Sequence, residues 1–384
     1  MKFPARPGRI AVLVVLIGVV LAATGCGGGS GIEQGSQGPA GQVDASGPVK
    51  GDLTISQWPL YVDPGKQGTV AQFERATGVD VKWVEDINDN VEFFGKLQPL
   101  LANGESGGRS MITISDWLAA KMYALGYLQR LDYSKLPNVK KNLIPALRHP
   151  VADPQRRFTV PWQAGMTGLI VRKDLAPDAN SICDLFDPKY KGRVTMLTEI
   201  TDTVPMTLKC MGIDPATATP KQWLAAVDKV KAAAADGQIR RFTGNDYTRD
   251  LVKGDVAIAL GWSGDAVQLQ NDNPNIEFVM PKEGCMLWST SMEIPIGAPN
   301  PAAAEAFMNY VYDPKVQADI AQYVNYVTPV RGVKQILARR DPALARNQLI
   351  FPSPRYTRNC SYEPVMKGEL GRSVTTAFEN VLTG

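Results

Sequence analysis

Aromatic, acidic and hydroxyl side chains gather at five places in this sequence. Trp58 and Tyr61 form one group, Ser115, Asp116 and Trp117 a second, and Glu199 with Asp202 a third. The run Trp262-Ser263-Gly264-Asp265 supplies a fourth, and Trp288 with Thr290 a fifth. Aromatic faces attract organic cations through the ring quadrupole, worth about 2 kcal/mol or more when the pair is desolvated. Carboxylates supply the opposite charge and accept ammonium hydrogens. Methylene segments between amines pack on flat indole faces. Together these residue types suit a flexible aliphatic amine.

The same residues suit catalysis poorly. The chain has one histidine, no G-x-S-x-G elbow and no cluster with metal-ligand spacing. Glycosidase carboxylates flank the scissile bond about 5–9.5 Å apart. Glu199 and Asp202, three residues apart near one helix start, share a side instead. A secreted hydrolase is therefore the alternative from another class, and no catalytic residue is assigned. A ferric-ion or anion binder would want clustered tyrosines, and Tyr323 and Tyr326 are the nearest pair. Each chosen residue also has a plain structural role open to it. Trp58 alone would fill a core, as Trp83 and Trp223 are expected to do. Glu199, Asp202 and Asp265 would each be favoured near a helix N-terminus by the dipole. The functional reading rests on their joint placement.

That placement comes from the elements. Short strands are predicted at 53–57, 79–84, 111–114, 168–171, 193–197, 256–260, 276–280 and 291–295. Helical spacing is predicted over 68–77, 90–102, 116–125, 221–235, 302–312, 314–323 and 371–382, with a bend or break near Pro99. Alternating strands and helices imply an α/β fold with mostly parallel sheets. In such sheets ligands bind beyond the carboxyl ends of the strands. Trp58, Ser115, Glu199 and Trp262 all follow predicted strands, and Trp288 falls where the chain is expected to cross back.

The start of the chain bounds the compartment. Lys2, Arg6 and Arg9 precede 14 apolar residues (10–23) and then Thr24-Gly25-Cys26. A basic start, a short apolar core and small residues at a cut site make a secretory signal peptide over 1–25. A membrane-spanning helix would need about 20 apolar residues. The cysteine after the small residues resembles a bacterial lipobox, so Cys26 is expected to carry lipid. Residues 26–50 are then the anchor and a flexible tether rich in Gly, Ser, Gln and Pro. At roughly 5–6 Å × √n this tether reaches about 25–30 Å. Localisation is expected to be extracytoplasmic, on the outer face of the bacterial cell membrane.

Net charge falls away with the signal. The full chain is +3, and the first 25 residues hold three bases and no acid, so the remainder is neutral. Nothing suggests a nucleic-acid partner. The roughly 330 residues that follow are enough for two domains of about 100–200 each. Beyond Cys26, four cysteines remain: Cys183, Cys210, Cys285 and Cys360. An even number outside the cytoplasm implies two disulfides. Three pairings are open, and Cys183–Cys210 with Cys285–Cys360 is the one expected. A zinc site is disfavoured by the wide spacing and the lack of C-x-x-C. No cofactor or metal is expected.

The motifs resemble the polyamine (spermidine/putrescine) substrate-binding lipoproteins and periplasmic proteins of ABC importers. The matching stretches are LTISQWPLYVDPG (53–65), FTVPWQAGMTGLIV (158–171), DLFDPKYKGRVTMLTE (184–199), VKGDVAIALGWSGDA (252–266), MPKEGCMLWSTSMEIP (280–295) and NYVTPV (325–330). The resemblance implies a two-lobed periplasmic-binding-protein-like fold with a hinge and an interlobe ligand cleft. It places lobe one at 51–164 plus 288–337 and lobe two at 165–287 plus 338–384. It implies capture of a polyamine or related small amine by lobe closure and delivery to ABC permease subunits with a cytoplasmic ATPase. The protein is expected to be a monomer. A sensor, or a same-fold binder of another ligand, is the near alternative. By resemblance the ligand-binding residues are Trp58, Tyr61, Ser115, Asp116, Trp117, Glu199, Asp202, Trp262, Asp265, Trp288, Thr290 and Tyr326. Two positions depart from the family. Thr290 stands where relatives place an ammonium-binding Asp, and Pro59 replaces a small polar residue. Glu293 is near but has opposite strand parity. The resemblance with these departures leaves room for a ligand with fewer amines, or with a hydroxyl or carboxylate facing Thr290 and Ser291.

Overall fold

The computed structural model describes residues 47–150, 153–364, 366 and 368–383. The expected signal peptide, Cys26 and most of the tether lie outside the described residues. The chain opens with β1 (Gly51–Gln57), α1 (Thr69–Thr77), β2 (Val79–Glu85), α2 (Asn90–Leu101), β3 (Met111–Ser115), α3 (Asp116–Ala124) and α4 (Pro137–Asn142). A long β4 (Val160–Arg172) leads to β5 (Val194–Leu197), α5 (Ile200–Cys210), α6 (Pro220–Ala235), β6 (Ile239–Thr243), α7 (Tyr247–Lys253), β7 (Ile258–Trp262), α8 (Ser263–Leu269) and β8 (Ile276–Val279). The chain returns through β9 (Met286–Glu293), α9 (Pro301–Tyr310), α10 (Pro314–Val324), α11 (Val333–Arg340), β10 (Ser361–Tyr362) and α12 (Gly368–Thr383).

The strands run β2-β1-β3-β9-β4-β7-β5-β6, with β10 added to β9 and β8 to β4. The flanks are parallel, β1 with β2 and β3 on one side, β5 with β6 and β7 on the other. The joint between them is antiparallel, through β3–β9, β9–β4 and β4–β7. The sheet is thus mixed rather than mostly parallel. A chain that leaves one half along β4 and comes back along β9 must run against itself there. All 13 residues of β4 are buried, as a strand central to both halves requires.

Element ends differ from expectation where glycine and proline interrupt the pattern. β4 starts eight residues before the predicted strand 168–171, because Pro161 and Gly165 hide its first part. A side chain at Gly165 would put its Cβ 2.4 Å from the Trp288 ring, so only glycine admits that ring against the strand. β9 covers 286–293 rather than 291–295, which turns Trp288 and Thr290 into strand residues. Pro99 does not break α2: it lies two residues from the helix end, where one missing N–H costs a single backbone bond. Asp89 caps that helix, accepting from the Glu92 N–H at 2.7 Å.

The core takes in Trp223 and, at its margin, Trp83, which lies 6.1 Å from Trp162 and 6.2 Å from Phe307 between ring centroids. Cysteines pair as Cys183–Cys210 and Cys285–Cys360. The second bond closes 75 residues of chain and fastens the segment before β10 to the start of β9. Loop entropy makes it worth about 4–5 kcal/mol, against about 3–4 for the first, which closes 27. Both double serine variants should therefore melt at lower temperature, with C285S/C360S falling further. Equal melting points for wild type and both variants would contradict the assignment.

Candidate functional site

A cavity lies where the two flanks meet at β4 and β9, with about 420 Å³ of empty space once the open solvent at its mouth is included. Its wall contains ten of the twelve residues expected from sequence: Trp58, Tyr61, Ser115, Glu199, Asp202, Trp262, Asp265, Trp288, Thr290 and Tyr326. Pro59, Asn245 and Glu363 complete it. Asn245 and Glu363 were missed because one follows an edge strand and the other a disulfide-held return of the chain. Neither sits beyond a predicted central strand.

The aromatic wall is a continuous chain of edge and tilted contacts. Ring centroids lie 5.6 Å apart for Trp58–Trp262, 6.3 Å for Trp262–Trp288, 5.4 Å for Trp288–Tyr326 and 5.4 Å for Tyr326–Tyr61. Local backbone holds each ring. Trp58 donates its indole N–H to the Thr113 carbonyl at 3.0 Å, and its backbone N–H to Gln57 Oε1 at 3.0 Å. Leu60, with φ 56°, makes the left-handed reversal that turns both Trp58 and Tyr61 inward. Gly264 opens α8 with room for Tyr326, whose ring would lie 2.3 Å from any Cβ there. Tyr326 can thereby donate its hydroxyl to Asp265 Oδ1 at 2.5 Å.

The acids fall into two sets. Asp265 is ringed by donors: Tyr326 on Oδ1, and Tyr247 (2.5 Å) and Asn245 (2.8 Å) on Oδ2. Burial raises its pKa to about 6, and these bonds hold it from rising further. Glu199, Asp202 and Glu363 form the other set. Glu199 Oε1 accepts from the Asn90 backbone N–H at 3.0 Å and side-chain Nδ2 at 2.7 Å. Burial, and then the charges of Asp89 and Asp202, push Glu199 up to about 8. Asp202 accepts the Trp262 indole N–H at 3.2 Å, and burial raises it to about 6. Glu363 accepts from Thr201 at 3.2 Å and is pushed well above the usual range by desolvation and by Asp202 and Glu199. Glu199 Oε2 and Asp202 Oδ1 are buried without a hydrogen-bond partner among the described residues. Among the described residues, no Lys, Arg or His lines this cavity.

Two expected residues are elsewhere. Asp116 turns to the opposite face of β9, accepting from Ser289 and Ser291 at 2.5 Å each, with Arg156 at 3.8 Å. Ser291 is therefore committed to Asp116 and Arg156, and does not stand beside Thr290 in the cavity. Glu293 shares that far face and lies within the fields of Asp116 and Arg156. Trp117 lines a separate, more apolar cavity with Phe94, Ile200 and Phe378. Alternation along β9 sorts Trp288 and Thr290 from Ser289, Ser291 and Glu293, since successive side chains point to opposite faces, while Asp116 and Trp117 leave the strand as the first residues of α3.

Comparison with known proteins agrees with this geometry. Residues 68–351 match the family model described as bacterial extracellular solute-binding protein. The spermidine/putrescine-binding periplasmic protein of Escherichia coli is 27% identical over 81% of this chain and 86% of its own length. The putrescine/agmatine-binding protein of Pseudomonas aeruginosa is 28% identical over 89% of this chain and 95% of its own. A Listeria monocytogenes structure ascribed to a spermidine/putrescine ABC transporter superposes with a TM-score of 0.75 at 25% identity, covering 86% of this chain and 99% of its own. The mixed sheet and the cavity at its crossing strands are the two-lobed architecture of periplasmic binding proteins. This chain belongs to the bacterial extracellular solute-binding protein family.

Proposed function

We propose that this protein captures a polyamine or related aliphatic amine outside the cytoplasm and hands it to an ABC permease. One observation carries the reading. Glu199 and Asp202, each with one oxygen unpartnered among the described residues, line a cavity walled by Trp58, Trp262, Trp288 and Tyr326, with no cationic side chain among its described lining residues. A buried carboxylate without a partner is costly, and an ammonium group supplies the missing donor and charge together. The role is binding without chemistry. The single histidine, His149, is exposed and does not line the cavity. We further propose lipid anchoring through Cys26 and action as a monomer, with lobes at 51–164 plus 288–337 and 165–287 plus 338–384. The crossing of β4 and β9 near Ala164, Gly165, Trp288 and Ser289 supports that division.

With these boundaries, several contacts run from lobe to lobe. Asn90 reaches Glu199, Asn88 accepts from the Asn245 N–H at 3.0 Å, Asp89 meets Thr198, and Tyr326 meets Asp265. They belong to a closed form, which ligand binding would favour by population shift. Glu199 then serves twice, with Oε1 holding Asn90 and Oε2 left for the ligand.

Calorimetric titration of the full chain against putrescine, spermidine, amino acids and thiamine tests the reading, and absence of heat with every amine would reject it. Asp202→Asn should weaken amine binding by tenfold or more, about 1.4 kcal/mol. Asn90→Ala should cost several-fold, about 1 kcal/mol, and appear mainly as faster ligand release. Binding of a cation favours the charged carboxylates, so affinity should rise from pH 6 to 8.5 and binding should release protons. Calorimetry in two buffers of different ionisation enthalpy would detect them. Ligand-free stability should run the other way. Glu199 binds a proton in the folded state up to about pH 8 but at an ordinary carboxyl value of 4.5 when unfolded. Its contribution is present below that lower value and is lost as pH rises through about 8. Thermal melts of the ligand-free protein from pH 5 to 9 check the sign.

A further inference from the structure

Glu363 reaches the ligand cavity on a segment that packing alone does not hold. It joins Glu199 and Asp202 in the wall. Yet from 351 to 364 no hydrophobic side chain is buried, and Tyr362, beside it, is 69% exposed. Strand β10 is only two residues long. Few ties fix this segment. Ser361 and Tyr362 pair with Met286 and Leu287 of β9. The Glu363 N–H donates to the Leu287 carbonyl at 2.9 Å, and Lys209 Nζ donates to the Asn359 carbonyl at 3.0 Å. The covalent tie is Cys285–Cys360. Cys285 is fully buried and stands one residue before β9, so it is a core position. Cys360 stands one residue before β10. Glu363 follows three residues later, at most about 10 Å of extended chain.

We propose that the Cys285–Cys360 disulfide is a positioning bond for the ligand site, fixing the Glu363 carboxyl at the wall where the ammonium is held. The proposal rests on the amine reading of this cavity and deepens it. In the ligand-free protein, a third carboxyl beside Glu199 and Asp202 is opposed by lost hydration and by repulsion. A segment without core contacts relieves both by turning its acid out to solvent. The disulfide keeps the acid in place before the cation arrives, so ligand binding does not have to order it. Thr201, donating to the Glu363 carboxyl at 3.2 Å, then sets its orientation. Cys183–Cys210 has no such part. It closes on the last residue of α5, and ten of the eleven residues of that helix are buried. Packing therefore holds Asp202 with or without that bond.

Titration of the full chain with putrescine and spermidine, below the melting temperature of every variant, tests the proposal. C285S/C360S should bind at least tenfold more weakly, about 1.4 kcal/mol, and C183S/C210S within about twofold of wild type. Glu363→Gln should cost about tenfold in wild type but less than about twofold on top of C285S/C360S, because the two changes remove one contact. Proton release on binding should fall equally in E363Q and C285S/C360S, which general loss of stability would not produce. Dithiothreitol acting on folded C183S/C210S opens the same bond without any need to refold, and affinity should drop as two thiols appear. Full affinity in C285S/C360S or in the reduced protein would overturn the proposal and leave the amine reading intact. So would an E363Q loss that is undiminished when the bond is absent. Wild type that binds neither amine would remove the amine reading itself, and the proposal with it.

Discussion

Four carboxyl groups, Glu199, Asp202, Asp265 and Glu363, share one small cavity with no basic side chain among its described lining residues. That concentration of buried carboxyl groups is the constraint on which the site depends. Burial alone would neutralise the acids by protonation, and the upward shifts of Glu199 and Glu363 show how far this goes without a cation. The cost is carried by the rest of the fold, whose large core buries Leu, Ile, Val and aromatic side chains on both flanks of the sheet. A protein that destabilises its own empty site in this way has binding energy in reserve for whatever supplies the missing positive charge.

The aromatic wall and the acids are mechanically linked. Trp262 donates to Asp202, Tyr326 donates to Asp265, and the two rings meet through Trp288. Trp288 in turn lies against Gly165, at the point where β4 and β9 cross from one flank to the other. A shift in that crossing would move the ring between the acids. The chemistry of the site and the geometry of the joint are therefore set by the same few contacts. Asn90 adds a second link, since the residue that opens α2 also holds Glu199.

Much of the site was legible because strand ends and glycine-flanked motifs mark where loops gather. Trp58, Glu199, Trp262 and Asp265 are read this way, one element at a time. Asp116 and Trp117 fall outside the cavity because the order of residues does not give their face: Ser115 lines the cavity, and the next residue turns to Ser289 and Ser291. Glu363 had no local signal. It reaches the wall through the Cys285–Cys360 bond and the pairing of β10 with β9, contacts separated by some 75 residues. The strand β4 reads short in sequence because Pro161 and Gly165 look like breaks, although Gly165 is where the Trp288 ring packs.

The sequence by itself determined the α/β pattern, the basic and apolar character of the first 25 residues ahead of a charge-balanced remainder, and a collection of tryptophans and acids. These follow from periodicity, composition and spacing, which are local properties of the chain. Only the tertiary structure decided the mixed sheet, the facing of side chains and the company each acid keeps. It set Gln163 beside Thr290 and left Glu199 and Asp202 with free oxygens. The reason is physical: strand register and desolvation depend on partners far apart in sequence, and a carboxyl group's charge state is fixed by what surrounds it rather than by what adjoins it.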